Sequence, residues 1–293
     1  MLLKIDHVTR YEYSKPVKFG THRLMLRPLE GHDVQIRSSA LEVRPAGRIR
    51  WAHDIFDNSV AFVEFKDPAA ELFIRSSVVV EQYNTNPFDF IIEDYARNLP
   101  FTYTEQEWFD ANHYMRRHFP QDEAVIRRWI RPFLDADGRA VTFDFLNVLN
   151  KSVPGYFDYE RREEPGVQSP GQTLKLRKGS CRDFALLLME SARHLGLASR
   201  FVSGYLCNTA PGEAGLNRAT GATHAWTEIY LPGAGWKGFD PTGGVLAAEQ
   251  HVRAAVAREP HQAAPISGSF LGDPSLCTGL NVDVKVERVT TQR

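Results

Sequence analysis

"RKGSCRDFALLLMESARHLGL", residues 177–197, sets a lone cysteine where Gly179 and Ser180 hand over to an apolar run. Ser180 is a natural N-cap, and Asp183 three residues on completes a variant of the capping box. Phe184, Leu187, Leu188, Ala192 and Leu195 then follow helical spacing until Gly196 ends the run. Cys181 therefore stands on the first turn of a helix with a buried stripe. Unpaired backbone N–H groups and the positive end of the helix dipole favour a thiolate there, and they would also serve a nearby oxyanion. Helix geometry alone leaves two readings open: a small core residue that begins a helix, or a nucleophile.

Downstream, "THAWTEIYLPGAGWKGFDPTGG" at 223–244 holds two strand-like runs joined by Pro232-Gly233-Ala234, the pattern of a hairpin. Strand alternation puts His224, Trp226, Glu228 and Tyr230 on one face and Ala225, Thr227, Ile229 and Leu231 on the other. Asp240 ends the second strand, held extended by Pro241. If the strands pair through this turn, His224 and Asp240 come within reach of each other, so a base and its orienting carboxylate stand in order after the cysteine. Trp226 reads equally as a core tryptophan or as a shield beneath that pair. Glu228 reads as a solvated strand charge, Tyr205 as a buried strand tyrosine and Cys207 as a bystander thiol.

Residues 2–83 alternate apolar and polar positions in short runs such as "VTRYEYS" and "LFIRSSVVVEQY", broken by turn signals at 30–33, 45–47 and 57–59. An antiparallel β-sandwich is expected, with His7, His32 and His53 on solvated strand faces or in turns. From residue 84 helical patterns follow near 105–117, 121–134 and 143–152, then loops at 161–172 and 208–222. Leu280, Val282, Val284 and Val286 near the end mark a half-buried strand. The division expected is a β-rich domain at 1–83 and a helical region with a catalytic core at 84–293.

With 35 basic and 36 acidic residues the formal charge is −1, which gives no electrostatic footprint for nucleic acid or an anionic membrane. Cys181, Cys207 and Cys277 show no C-x-x-C spacing, so neither a metal site nor any cofactor is called for. Lys4 and Asp6 interrupt the apolar start before a signal core can form, and a cytoplasmic address is expected.

The strings "GSCRDFALLLMESARHLGLASRFVSGYL" and "THAWTEIYLPGAGWKGFDPTGG", in that order, resemble the transglutaminase-like superfamily, in particular a bacterial branch described as cysteine proteases. The first 83 or so residues resemble the N-terminal domain common in that branch. The resemblance implies an α+β protein: the β-sandwich followed by a papain-like core with helices packed on an antiparallel sheet. Carried over by position, it makes Cys181 the nucleophile, His224 the general base and acid, and Asp240 the orienting carboxylate. It implies a peptidase or amidase acting on a peptide or protein through an acyl-enzyme, without a cofactor. A transglutaminase-type amine transfer and a non-catalytic peptide-binding module are the alternatives. One stretch departs: where relatives tend to carry Gly-Arg-Asp-Tyr, this chain has Ala257, Arg258, Glu259, Pro260, His261 and Gln262. Pro260 restricts Glu259, so the strand end there is expected to differ.

Overall fold

The structure, a computed structural model, describes residues 1–83, 85–162, 164, 166–207 and 222–289. All of the expected loop at 208–222 except Ala222 lies outside the described residues. The N-terminal part is built from β1 (Leu2–Phe19), β2 (His22–Leu24), β3 (Val34–Arg44), β4 (Gly47–His53), β5 (Ser59–Phe65) and β6 (Ala69–Gln82). β1, β6 and β3 form one antiparallel sheet, and β2, β5 and β4 form the other. Between them pack Tyr13, Val17, Phe19, Leu24, Val63, Leu72 and Ile74, the inward side chains of the alternating runs.

The sandwich is not finished by these six strands. The chain returns at its end as a strand over Cys277–Arg288, paired antiparallel with β1 from Leu3 opposite Arg288 to Tyr13 opposite Cys277. Ile266–Ser267 extend β2, and Phe270–Leu271 pair with the end of β1. The expected division at residue 83 assigned this segment to the core; in the structure it joins the sandwich. Without it β1 would be a long sheet edge with a row of unpaired backbone groups.

The expected helices appear as α1 (Glu105–Met115), α2 (Glu123–Ile130) and α3 (Thr142–Tyr156). A further short helix, α4 (Pro170–Leu176), begins inside the segment read as loop. Its signal was local: the Ser169 hydroxyl accepts from Gln172 N at 3.2 Å, Gln172 Oε1 accepts from Ser169 N at 3.0 Å, and Pro170 sits where a missing N–H costs nothing. α5 (Cys181–His194) is the central helix, with Arg182 and His194 alone on it not buried. The single buried stripe expected there is thus nearly its whole circumference. Its end is as read, with Gly196 at φ 78° and Leu197 N donating to Ala192 O at 3.0 Å.

α5 packs on a further antiparallel sheet that contains β7 (Ser199–Leu206), β8 (His224–Leu231), β9 (Gly235–Asp240) and β10 (His251–Ala257) in the order β9-β8-β7-β10, with the two-residue strand Val245–Leu246 on the outer side of β9. Ala225 and Ile229 of β8 meet Ala185, Leu188 and Ala192 of the helix. The Thr227 hydroxyl pins the contact by donating to Ala185 O at 2.6 Å.

The sandwich and this sheet share one core. Leu3, Ile5, Val80 and Val284 pack on Tyr205, Val252 and Ala254. The outer edge of β10 is satisfied from the sandwich side: Leu29 N donates to Arg253 O, and Gln82 Nε2 donates to His251 O. Asn58, fully buried, accepts from Val256 N at 2.8 Å and donates to Val256 O at 2.7 Å, so its amide replaces a missing neighbour strand. The Tyr205 hydroxyl donates to Leu26 O at 3.1 Å and meets His7 Nδ1 at 3.2 Å. His7 is therefore not on a solvated face as expected; burial pushes its pKa down to about 4 and keeps it neutral. His32 and His53 are exposed. Among the described residues no helix is long and apolar enough to cross a membrane.

Candidate active site

The start of α5 is organised by Asp183. Ser180 N and Oγ both donate to Asp183 Oδ2, at 2.9 and 2.8 Å. The same carboxylate, fully buried, accepts from Arg162 Nη1 at 2.9 Å and from Gln168 N at 2.7 Å. Arg182 Nη2 donates to the carbonyls of Arg162 and Glu164. Asp183 is thus more than a helix cap: it and Arg182, the two residues after Cys181, tether Arg162, Glu164 and Gln168 to the start of α5.

The hairpin forms as read, with Leu231 opposite Gly235 and Thr227 opposite Phe239. Continuing that register sets Asp240 opposite Trp226, so His224 lies two residues beyond, diagonal to Asp240 on the same face. His224 Nε2 is nevertheless 2.7 Å from Asp240 Oδ2, both side chains being buried. Asp240 Oδ1 accepts from Thr242 N at 3.0 Å. The other ring nitrogen, Nδ1, has no hydrogen-bond partner of normal geometry. Cys181 is close enough to act on the ring's protonation, and Nδ1 is the nitrogen left to face its sulfur. The structure thus brings Cys181, His224 and Asp240 together from α5, β8 and β9.

Electrostatics follow from that packing. Burial opposes charge on the His224 ring, but the Asp240 carboxylate and then the thiol outweigh it, and the pKa is pushed up to about 10. Burial likewise opposes the Asp240 charge, yet His224 and a second histidine, His251, hold its pKa well below the carboxylate range. The arrangement favours a charged pair.

Reading the sequence missed His251. Its Nε2 lies 3.1 Å from the same Oδ2 that His224 uses. It begins β10, which pairs with β7 and not with the hairpin, so order along the chain does not put it beside Asp240. A histidine at a strand start was its one signal. Among the described residues, His224, Asp240 and His251 are a set whose donor atoms lie close enough to hold a metal ion, and direct hydrogen bonds already join them.

Trp226 is fully buried and lies edge-on to His251 at 5.3 Å, beneath the pair. Glu228 is not solvated: it is buried, paired with Arg200 at 2.7 Å and reached by Arg253 at 3.5 Å. Cys207 packs in the core between sheet and sandwich, and burial raises its pKa.

A cavity of about 890 Å³ opens at Cys181 and His224, within the range of ligand sites. Phe119, Tyr159, Leu186 and Met189 supply apolar wall. The departing stretch supplies another part: β10 stops at Ala257, Glu259 is extended at φ −135° and ψ 148°, and Pro260 opens a short turn of helix, so that Glu259, Pro260 and His261 face the cavity.

Comparison with known proteins bears on this architecture. Residues 3–81 match the bacterial transglutaminase-like N-terminal region and residues 138–241 the transglutaminase-like superfamily. An uncharacterized protein of Mycobacterium leprae is 26% identical over 98% of this chain and 99% of its own length. Another, from Mycobacterium tuberculosis, is 27% identical over 90% of this chain and 86% of its own. Among solved structures, a "Putative Cysteine Protease" from Cytophaga hutchinsonii superposes with a TM-score of 0.73 at 17% identity, covering 99% of this chain and 92% of that one, which shows a common fold. The family match supports a thiol-dependent enzyme in general terms. The chain thus carries a transglutaminase-like superfamily core at 138–241, preceded by a bacterial transglutaminase-like N-terminal region at 3–81.

Proposed function

We propose that the protein is a cysteine peptidase or amidase that hydrolyses an amide bond of a peptide or protein through an acyl-enzyme on Cys181. The observation that carries this reading is the convergence of a helix-start thiol on a buried imidazole whose far nitrogen is bound to a carboxylate at 2.7 Å. The helix N-terminus together with a protonated His224 favours negative charge on the Cys181 sulfur.

In acylation the Cys181 sulfur attacks the amide carbonyl carbon, and the carbon–nitrogen bond breaks as His224 gives its proton to the departing amine. The transient oxyanion is stabilised at the start of α5, where the positive end of the helix dipole lies. In deacylation His224 takes a proton from water, the hydroxide oxygen bonds to the carbonyl carbon, and the thiolate leaves the thioester. Asp240 keeps Nε2 occupied, so that Nδ1 is the nitrogen that gives and takes the proton. Water as acceptor makes the protein a hydrolase; an amine accepted at the same thioester would make it a transferase.

A peptide library read by mass with and without a primary amine tests this. Hydrolysed products that vanish in Cys181→Ala are expected. Products found as amine adducts only would replace the hydrolase reading with transfer, and no turnover together with a Cys181 thiol no more reactive than a free one would remove the enzyme reading.

A further inference from the structure

The second histidine on Asp240 has a defined chemical state. His251 Nδ1 accepts the backbone N–H of Ala248 at 3.4 Å, so the ring proton belongs on Nε2, which points to Asp240 Oδ2 at 3.1 Å. That oxygen is already the partner of His224 Nε2 at 2.7 Å, and Oδ1 is held by Thr242 N. Three donors from three segments therefore fix one carboxylate. The His251 ring is braced in turn by the edge of Trp226, and its own carbonyl by Gln82. Trp226 reaches across because Gly204 has no side chain; a Cβ there would lie 2.6 Å from the indole.

We infer that His251 is a positioning residue of this site: as a neutral Nε2–H donor it shares Asp240 Oδ2 with His224, locking the carboxylate and moderating its hold on the His224 proton. The inference rests on the thiol-enzyme reading above. An oxygen that accepts two N–H groups is a weaker acceptor for each. His224 therefore parts with its proton to the leaving amine more readily than a histidine with an undivided carboxylate. Among the described residues, the titratable groups facing the imidazole pair are Cys181 from α5, Asp240 from β9 and each other. The next charges along that sheet face, Glu228 with Arg200 and Arg253, are paired among themselves.

The test is the rate at which iodoacetate alkylates Cys181 in the full chain as pH varies, with Cys181→Ala supplying the background from Cys207 and Cys277. The anionic reagent is drawn by the imidazolium, so the alkaline limb of the profile reports loss of the His224 proton. In His251→Ala that limb should move up by about half a pH unit or more, a threefold or greater gain in proton affinity. His251→Gln, which can still donate to Asp240, should bring it back. A role in folding alone would lower reactivity evenly and leave the limb in place, and a limb unmoved or moved to lower pH overturns the inference. A second measurement needs no substitution: the imidazole nitrogen shifts of the intact protein should show the His251 ring proton on Nε2. A proton on Nδ1, or a charged ring, overturns it equally. A bell lacking in the wild type and a rate unchanged by His224→Ala would instead overturn the thiol-enzyme reading, which keeps the two failures apart.

Discussion

The His224 ring and the Asp240 carboxylate, two positions out of register across a hairpin, meet at 2.7 Å with both side chains almost wholly enclosed. Their coupling sets a pH window. The His224 pKa stands at about 10, above its ordinary value, so its share of stability is complete below about 6.5 and is lost as pH rises through about 10. The Asp240 pKa is depressed, so its share is present above about 4 and is lost as pH falls through the folded value. Melting temperatures of wild type and Asp240→Asn should differ most between about pH 4 and pH 6.5 and converge toward about pH 10. A gap that widens on the alkaline side would contradict this.

Asp183 and Arg162 should govern the segment beside the thiol. Arg162→Ala removes the cation from a fully buried carboxylate that still receives Ser180 and Gln168, with an expected loss of about 1.5–3 kcal/mol. Hydrogen exchange should speed up in peptides covering 160–169 more than in α3 or β8. Uniform loss of protection across the chain would mean that the pair acts on global stability and not on this tether.

Asn58 supplies both hydrogen bonds that Val256 lacks at the edge of β10. Asn58→Ala leaves a buried N–H and a buried carbonyl unpaired and should cost about 2–4 kcal/mol in urea unfolding. Because this contact joins sandwich to core sheet, one transition should move as a whole. Two separated transitions would show that the two parts do not depend on each other.

Gly204 offers a steric test of the platform under the histidines. A Cβ at this position would stand 2.2 Å from Val252 O and 2.6 Å from the Trp226 ring. Gly204→Ala should therefore cost about 1–3 kcal/mol and disturb the tryptophan fluorescence. A variant as stable as wild type would mean that the strands part without strain. The Tyr205 neighbour is less informative, since its ring faces the sandwich.

The three candidate site residues could be singled out because each stood at a local landmark, Cys181 after a capping serine, His224 at a strand start and Asp240 before a proline, while their roles came from the family resemblance. Hydrogen-bonded turns and capping residues act over a few positions, and the chain displays them directly. Glu228 was misread for the opposite reason. Strand alternation tells which residues share a face but not what covers that face, and here two arginines from β7 and β10 enclose it. The same lack of information hid the buried state of His7.

By itself, then, the sequence determined the sandwich strands, the hairpin, the helix start and the order of thiol, imidazole and carboxylate, all consequences of local propensity and period. Only the tertiary structure decided that the last strand returns to β1, that Asn58 closes the edge of β10 and that His251 shares a carboxylate oxygen with His224. Those three depend on pairings between residues far apart in the chain. They are selected by which backbone and polar groups would otherwise be buried without a partner, a condition that exists only once the whole fold is assembled.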